Sequence, residues 1–194
     1  MQQQLLCRIP RSVIAGVVTL ALVTACGREN QTVTNNTPTP SAVVQPEQQQ
    51  TAQVYLVAAQ DNKIHLVGRP VASTKTGNQN PKQSLEEAFN RLLSGSTGAD
   101  AGVSSSIPQG TKLRSLAVKN DTVSVDLSQE FTRGGGTASM QSRLGQVIYT
   151  ATSLNPKAKV YISVEGKPLT ELGGEGLTID QPMTRQSFDA DFHL

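Results

Sequence analysis

The spacing of apolar positions changes several times along the chain, and each change marks an element. Gln53 to Ala59, QVYLVAA, and Lys63 to Pro70, KIHLVGRP, have the make-up of strands, with Asp61-Asn62 between them as a hairpin turn. Leu85, Ala88, Phe89, Leu92 and Leu93 follow at i, i+3, i+4, i+7 and i+8, the stripe of an amphipathic helix. Asn80-Pro81 and a Ser84/Glu87 capping box supply its start signals, and Gly95 is placed to end it. Lys112 to Val118 and Thr122 to Leu127 form a second strand pair around Asn120-Asp121. In the second of these strands Val123, Val125 and Leu127 point one way, Ser124 and Asp126 the other. Another helix is expected from about Ala138 to Leu154, with Met140, Leu144, Val147, Ile148 and Ala151 as its stripe. Asn155-Pro156 is its stop, because proline cannot continue a helix. A final strand, Lys159 to Val164, sets Val160, Ile162 and Val164 on one face and turns at Glu165-Gly166. LGGEGLTIDQPMTR reads as loop with at most one short strand.

The predicted order is β-β-α-β-β-α-β. Two helices with one apolar stripe each need a surface to cover. The economical arrangement lays both on one face of a single sheet, an α+β fold built as a two-layer α/β sandwich.

The segment ahead of this head is different. Arg8 and Arg11 precede the apolar run Val13 to Val23, which is shorter than the ~20 residues a membrane span needs. A basic start, a short apolar core and small residues before a cut site describe an export signal over residues 1–25. Val23-Thr24-Ala25-Cys26 resembles the lipobox of bacterial lipoproteins, which implies acylation of Cys26 with chains such as palmitate and cleavage before it. An ordinary secretory signal or a short anchor helix is the competing reading. Residues 26–52, rich in Gln, Thr, Asn, Pro and Ser, then read as an acylated cysteine followed by a disordered tether. The head occupies residues 53–187, and 188–194 read as a C-terminal tail, frayed or docked on the surface.

Composition narrows the chemistry. Cleavage discards Cys7 and acylation consumes Cys26, leaving neither a free thiol nor a disulfide. The whole chain carries 17 basic and 15 acidic residues, and loss of Arg8 and Arg11 leaves 15 of each. That balance gives no reason to expect nucleic acid as a partner. The two histidines are His65, in a strand, and His193, near the end. No Gly-x-Ser-x-Gly elbow accompanies them, and the acids have no metal-ligand spacing, so neither a catalytic residue nor a metal site is expected. Gly134-Gly135-Gly136 lacks the lysine of a phosphate loop and reads as a flexible connection, with Thr137 or Ser139 capping the next helix. Glu86 and Glu87 are adjacent first-turn acids, not paired catalytic ones. Asp126 reads as a cap of its following loop through an Asx turn, with a binding role as the alternative. Gly145, costly in a helix, is expected where a neighbouring backbone comes close. Arg185 is expected to pair with a carboxylate and hold the C-terminal segment to the head.

Several fragments fall in a recognisable order: RPVAS, SLEEAFNRLLSG, SSIPQGTKLRSLAVKNDTVSVDLSQEF, GQVIYTAT, VYISVEGKPL and QPMTR. Together they resemble the GerMN domain of the GerM sporulation and germination family and related bacterial lipoproteins. The resemblance covers the head, and its most specific pieces are Ile107 to Thr111, Val125 to Ser128 and Pro182 to Arg185. It implies a fold similar to the ring-building motifs of secretion and sporulation complexes. It also implies a role in supporting envelope assemblies, with no established catalytic residues and no cofactor. The family's spore protein carries two such modules, this chain one.

Three readings of function follow. The first is a non-enzymatic interaction or scaffold module, held on a membrane outside the cytoplasm by acylated Cys26 and working in an envelope protein complex. Its candidate surface is the uncovered sheet face, with Ser124, Asp126, Tyr161 and Ser163, joined by His65 if the register allows; edge-strand pairing is another route. The second is peptidoglycan or glycan binding, which the absence of Trp and a count of three Tyr weaken. The third is a wall hydrolase, for which the chain offers no constellation.

Overall fold

The computed structural model describes residues 51–60, 63–72, 80–95, 102–173, 176–192 and 194. All lie in one compact unit, Pro46–Leu194. The export signal, Cys26, most of the tether, the Asp61-Asn62 turn and His193 fall outside the described residues.

The seven principal elements come in the expected order. β1 (Gln53–Gln60) and β2 (Lys63–Pro70) pair antiparallel along their full length, from Gln53 opposite Pro70 to Gln60 opposite Lys63. α1 (Pro81–Leu93) buries Leu85, Ala88, Phe89 and Leu92 and packs against β1 and the later strand β4 (Leu113–Lys119). Full burial of a Leu or Phe side chain contributes ~1.5–3 kcal/mol, so this stripe anchors the helix. The helix starts earlier than the Ser84/Glu87 box predicts: Asn80 is the N-cap, its Oδ1 accepting from Gln83 N at 2.9 Å, and Pro81 stands first in the helix. Proline suits that position because its missing N–H would have no helical partner there. Gly95 (φ 68°) follows the C-cap Ser94 as expected.

β4 and β5 (Thr122–Leu127) form the second hairpin, with Asn120 at φ 50° in its turn. α2 (Thr137–Ala151) crosses over to β6 (Lys159–Val164), which lies parallel to β5 in strict register from Thr122/Lys159 to Leu127/Val164. Val123, Val125, Leu127, Val160 and Ile162 all face the core.

The single sheet does not form. Strands β2-β1-β3, with β3 at Val103–Ser104, make one sheet; β4-β5-β6-β7, with β7 at Lys167–Pro168, make a second. β1 is covered on both sides, Val54 and Leu56 buried on one and Val57 on the other, and the edge away from β2 is taken by β3 and by side chains of α2, not by β4. A strand wrapped in this way lies inside the core, and one contiguous cluster of buried apolar residues joins both sheets. The mixed α/β class is as expected, and α2 packs on β1, β2 and α1.

α2 also departs from a one-stripe helix. Its expected stripe is buried, but so are Ser142, Arg143, Gly145, Gln146 and Thr150. Gly136, which has no side chain to cap with, is its N-cap, and Thr152 ends it before Asn155-Pro156. A Cβ on Gly145 would meet Phe188 Cζ at 2.7 Å and Leu66 Cδ1 at 2.8 Å. The close approach predicted for Gly145 is therefore to side chains, not to a backbone.

The C-terminal segment is more ordered than the pattern implies. β8 (Glu171–Leu172) pairs with β9 (Leu177–Thr178), and α3 (Arg185–Asp191) follows a capping box of Thr184 and Ser187. A domain limit at 187 cuts this helix, and Phe188 and Phe192 are buried in the common core. Two apolar residues four apart outweigh the acidic character of DADFHL.

Candidate interaction surface

Strict alternation in the second sheet builds its outer face row by row. Because β4, β5 and β6 are paired in register, the outward residues meet in three cross-strand rows. They are Lys119, Thr122 and Lys159; then Ala117, Ser124 and Tyr161; then Ser115, Asp126 and Ser163. Strands lie ~4.8 Å apart and successive rows ~6.7 Å, so the three rows make a compact patch. Four of the five sequence-predicted surface residues, Ser124, Asp126, Tyr161 and Ser163, stand together here. The fifth does not: His65 sits on β2 of the other sheet, exposed and opposite Ala58. Lys119, Thr122 and Lys159 complete the face, and the period-two alternation that flagged Ser124 and Tyr161 applies to them equally.

The rows differ in how their polar groups are used. Asp126 Oδ1 accepts from Ser163 Oγ at 2.8 Å and from Gly166 N at 2.9 Å. Arg114 Nη1 stands 2.6 Å from Glu165 Oε2 and 3.6 Å from Asp126 Oδ2. Glu165 Oε1 accepts from Gln129 N at 3.0 Å. Asp126 therefore holds the Glu165-Gly166 turn, where both residues have positive φ, rather than its own following loop as expected. The cause is parallel pairing, which sets residue 126 beside residue 163 and within reach of that turn. The other two rows are open. Tyr161, 45% accessible, is the exposed large hydrophobic side chain among the described residues.

The residues that carry the family resemblance hold the fold. Ile107 is buried, Gly110 adopts φ 85°, and Thr111 bonds Pro108 O through both its N and its Oγ1. Ser128 Oγ accepts from Lys112 N and donates to Glu130 Oε2 at 2.6 Å, which with further bonds and cations holds the Glu130 carboxyl below its ordinary value. Gln181-Pro182 is cis, and Met183 bridges to Val160. Gln181 spends its side-chain amide on Ile162, accepting from its N at 2.7 Å and donating to its O at 2.8 Å.

Arg185 does pin the C-terminal segment, but not through a carboxylate. Its Nε donates to Thr152 Oγ1 at 2.8 Å, and one Nη donates to Tyr149 O and Thr152 O at 3.1 and 3.2 Å. The guanidinium also stacks 4.5 Å from the Tyr149 ring centroid and 5.1 Å from that of Tyr55. Tyr149 Oη in turn donates to Asp189 at 2.6 Å. Burial first, and then that bond, pushes the Tyr149 hydroxyl up to about 12.

The triple-glycine connection is pinned rather than loose. Arg143, 2% exposed, donates to Phe131 O, Arg133 O and Gly134 O at 2.8, 3.1 and 2.9 Å. Burial lowers the pKa of its guanidinium. A Cβ on Gly135 would lie 2.6 Å from Arg143 Nη2, and its φ of 86° favours glycine independently. Among the described residues no group of His, Cys, Asp or Glu is placed to hold a metal, and no helix is long and apolar enough to cross a membrane.

Comparison with known proteins gives the same fold. The first GerMN domain of the sporulation protein GerM from Bacillus subtilis superposes with a TM-score of 0.56 at 20% identity, covering 70% of this chain and 98% of that one. The tandem GerMN domains of the same protein give 0.55 at 21% identity, over 71% of this chain and 46% of theirs, as a single module would. A candidate lipoprotein from Clostridium perfringens gives 0.50 at 22% identity, over 70% and 87%. No curated protein sequence shows significant similarity to this chain. The Germane family model, described as "Sporulation and spore germination", matches residues 53–170, from the start of β1 to beyond β7, and the chain belongs to that family as a GerMN-domain protein.

Proposed function

We propose that this module is a non-enzymatic protein-interaction domain that joins or steadies an assembly in the cell envelope, held there by lipid on Cys26. The observation that carries the reading is the open upper part of the second sheet's outer face. Tyr161 stands accessible at the β6 end of its second row, and no other large hydrophobic side chain among the described residues is exposed. An exposed tyrosine flanked by polar groups is a common component of a binding hot spot. The motif residues support the same reading, because Ile107, Thr111, Ser128, Met183 and Arg185 are spent on packing and bonds inside the fold. Membership of a sporulation and germination family supports an envelope setting, and the lipobox-like Val23 to Cys26 supplies an anchor.

In-cell crosslinking of tagged full-length chain, with capture and mass spectrometry, tests this. One protein complex in near-stoichiometric amount is expected from the wild type and is lost from Cys26→Ser and from Tyr161→Ala. Recovery of wall fragments without protein would overturn the reading in favour of glycan binding.

A further inference from the structure

The structure divides the outer face of the second sheet by whether its polar heads are already satisfied. In the third row Asp126 accepts from Ser163 and from Gly166 N in the Glu165-Gly166 turn, and a single cation, Arg114, reaches both Asp126 and Glu165. The first two rows hold the ammonium groups of Lys119 and Lys159 and the hydroxyls of Thr122, Ser124 and Tyr161. None of these five has a hydrogen-bond or ion-pair partner among the described residues. The nearby carboxylate, Asp121, accepts one hydrogen bond, from Asn155 Nδ2 at 2.9 Å, and keeps its charge. The strip therefore offers two cations about 10 Å apart across three strands. Hydroxyl groups and one aromatic ring lie between and below them, and Asp121 is the exposed acid next to Thr122.

We infer that this strip binds a carboxylate-rich segment of a partner protein, with Lys119 and Lys159 straddling the acids and Tyr161 packing against the partner's apolar stem. The inference rests on the interaction-module reading and adds the chemistry of the partner. The two ammonium groups only donate, while the hydroxyls between them donate or accept, so it is the cations that call for acceptors carrying negative charge. Two lysines contribute only ~1 kcal/mol each at an anionic lipid surface. A protein segment can in addition use Thr122, Ser124 and the Tyr161 ring, so it gains more from this geometry than a headgroup layer does.

The test uses purified full-length chain and a fluorescein-labelled oligoglutamate peptide, with binding read by anisotropy at low and physiological salt. Wild type should bind with an affinity that falls as salt rises. Lys119→Glu with Lys159→Glu should weaken binding roughly tenfold or more. A control of equal charge change, Lys63→Glu with Lys167→Glu, alters exposed lysines away from the strip and should bind like wild type. Melting curves of both double variants should match wild type. Equal loss in the two variants would overturn the inference by showing a net-charge effect. Binding to phosphatidylglycerol vesicles but not to peptide would overturn it in favour of a lipid surface. If the strip variant fails to bind peptide yet still captures the complex in cells, the interaction module stands and its acidic partner does not.

Discussion

Two polar regions of this molecule, the buried side of α2 and the open face of the second sheet, use similar residue types for opposite ends. On α2, Gln146 and Thr150 are fully buried and complete the edge of β1. β1 pairs with β3 only at Val57/Ser104 and Ala58/Val103, and in the same register Tyr55 would next meet Ser106. Gln146 stands between them instead, its Nε2 donating to Tyr55 O at 3.0 Å and its Oε1 accepting from Ser106 N at 2.8 Å. Thr150 Oγ1 accepts from Tyr55 N at 3.1 Å. Gln181 does the same for Ile162 at the edge of β6. An amide carries a donor and an acceptor like a peptide unit, so a glutamine can substitute for a missing strand. On the open face, Ser124 and Thr122 have nothing of the kind to complete. A buried polar side chain here is a piece of backbone pairing, and an exposed one is left for solvent or partner.

The most forceful way to break this contrast is Gln146→Leu. It strands Tyr55 O and Ser106 N, and each unmade bond costs ~1–3 kcal/mol. A loss of about 2–3 kcal/mol in denaturant unfolding is expected; a change within 0.5 kcal/mol, roughly the scatter of surface substitutions, would show that the amide is not needed there.

Arg185→Ala should cost about 1–2 kcal/mol, from charged hydrogen bonds and ring stacking together. Arg185→Lys should not restore it, because an ammonium cannot reproduce the planar fork. Thermal melting of both variants checks this, and an unchanged melt for the alanine variant would remove the pinning role.

Asp126→Ala sharpens the division within the open face. It frees Gly166 N and Ser163 Oγ, for an expected loss of about 1 kcal/mol, while capture of the envelope complex persists. Lost capture with an unchanged melt would move Asp126 into the binding strip.

The smallest effect is confined to alkaline pH. Tyr149 binds its proton more tightly in the folded state, its hydroxyl raised from 10 to about 12. The associated stability is present below pH 10 and is lost as pH rises through about 12. Unfolding measured at pH 9 and near 11.5 should show this decline, and Tyr149→Phe should flatten it.

Much of the fold is legible in the chain because apolar spacing reports on elements taken singly. Leu85, Ala88, Phe89 and Leu92 identify α1 without reference to anything else, and Val123, Val125 and Leu127 identify β5. Four residues of the interaction face follow from the same alternation. His65, expected there only if the register allows, does not join them, because alternation says which side of its own strand a residue takes, not which sheet the strand joins. The role of Asp126 was hidden for a related reason: Gly166 lies 40 residues further on and reaches it only through the parallel pairing of β5 and β6.

Elements, their inward faces and the family motifs are local properties, set by periods of two and 3.6 residues and by backbone limits at proline and glycine. Those the sequence determined alone. The division into two sheets, the burial of Arg143, Gln146 and Thr150 inside a helix, and the docking of α3 were decided by tertiary structure. β3 pairs with β1 over only two residues, and the backbone N–H and C=O groups left at that edge required partners from wherever the packing brought them.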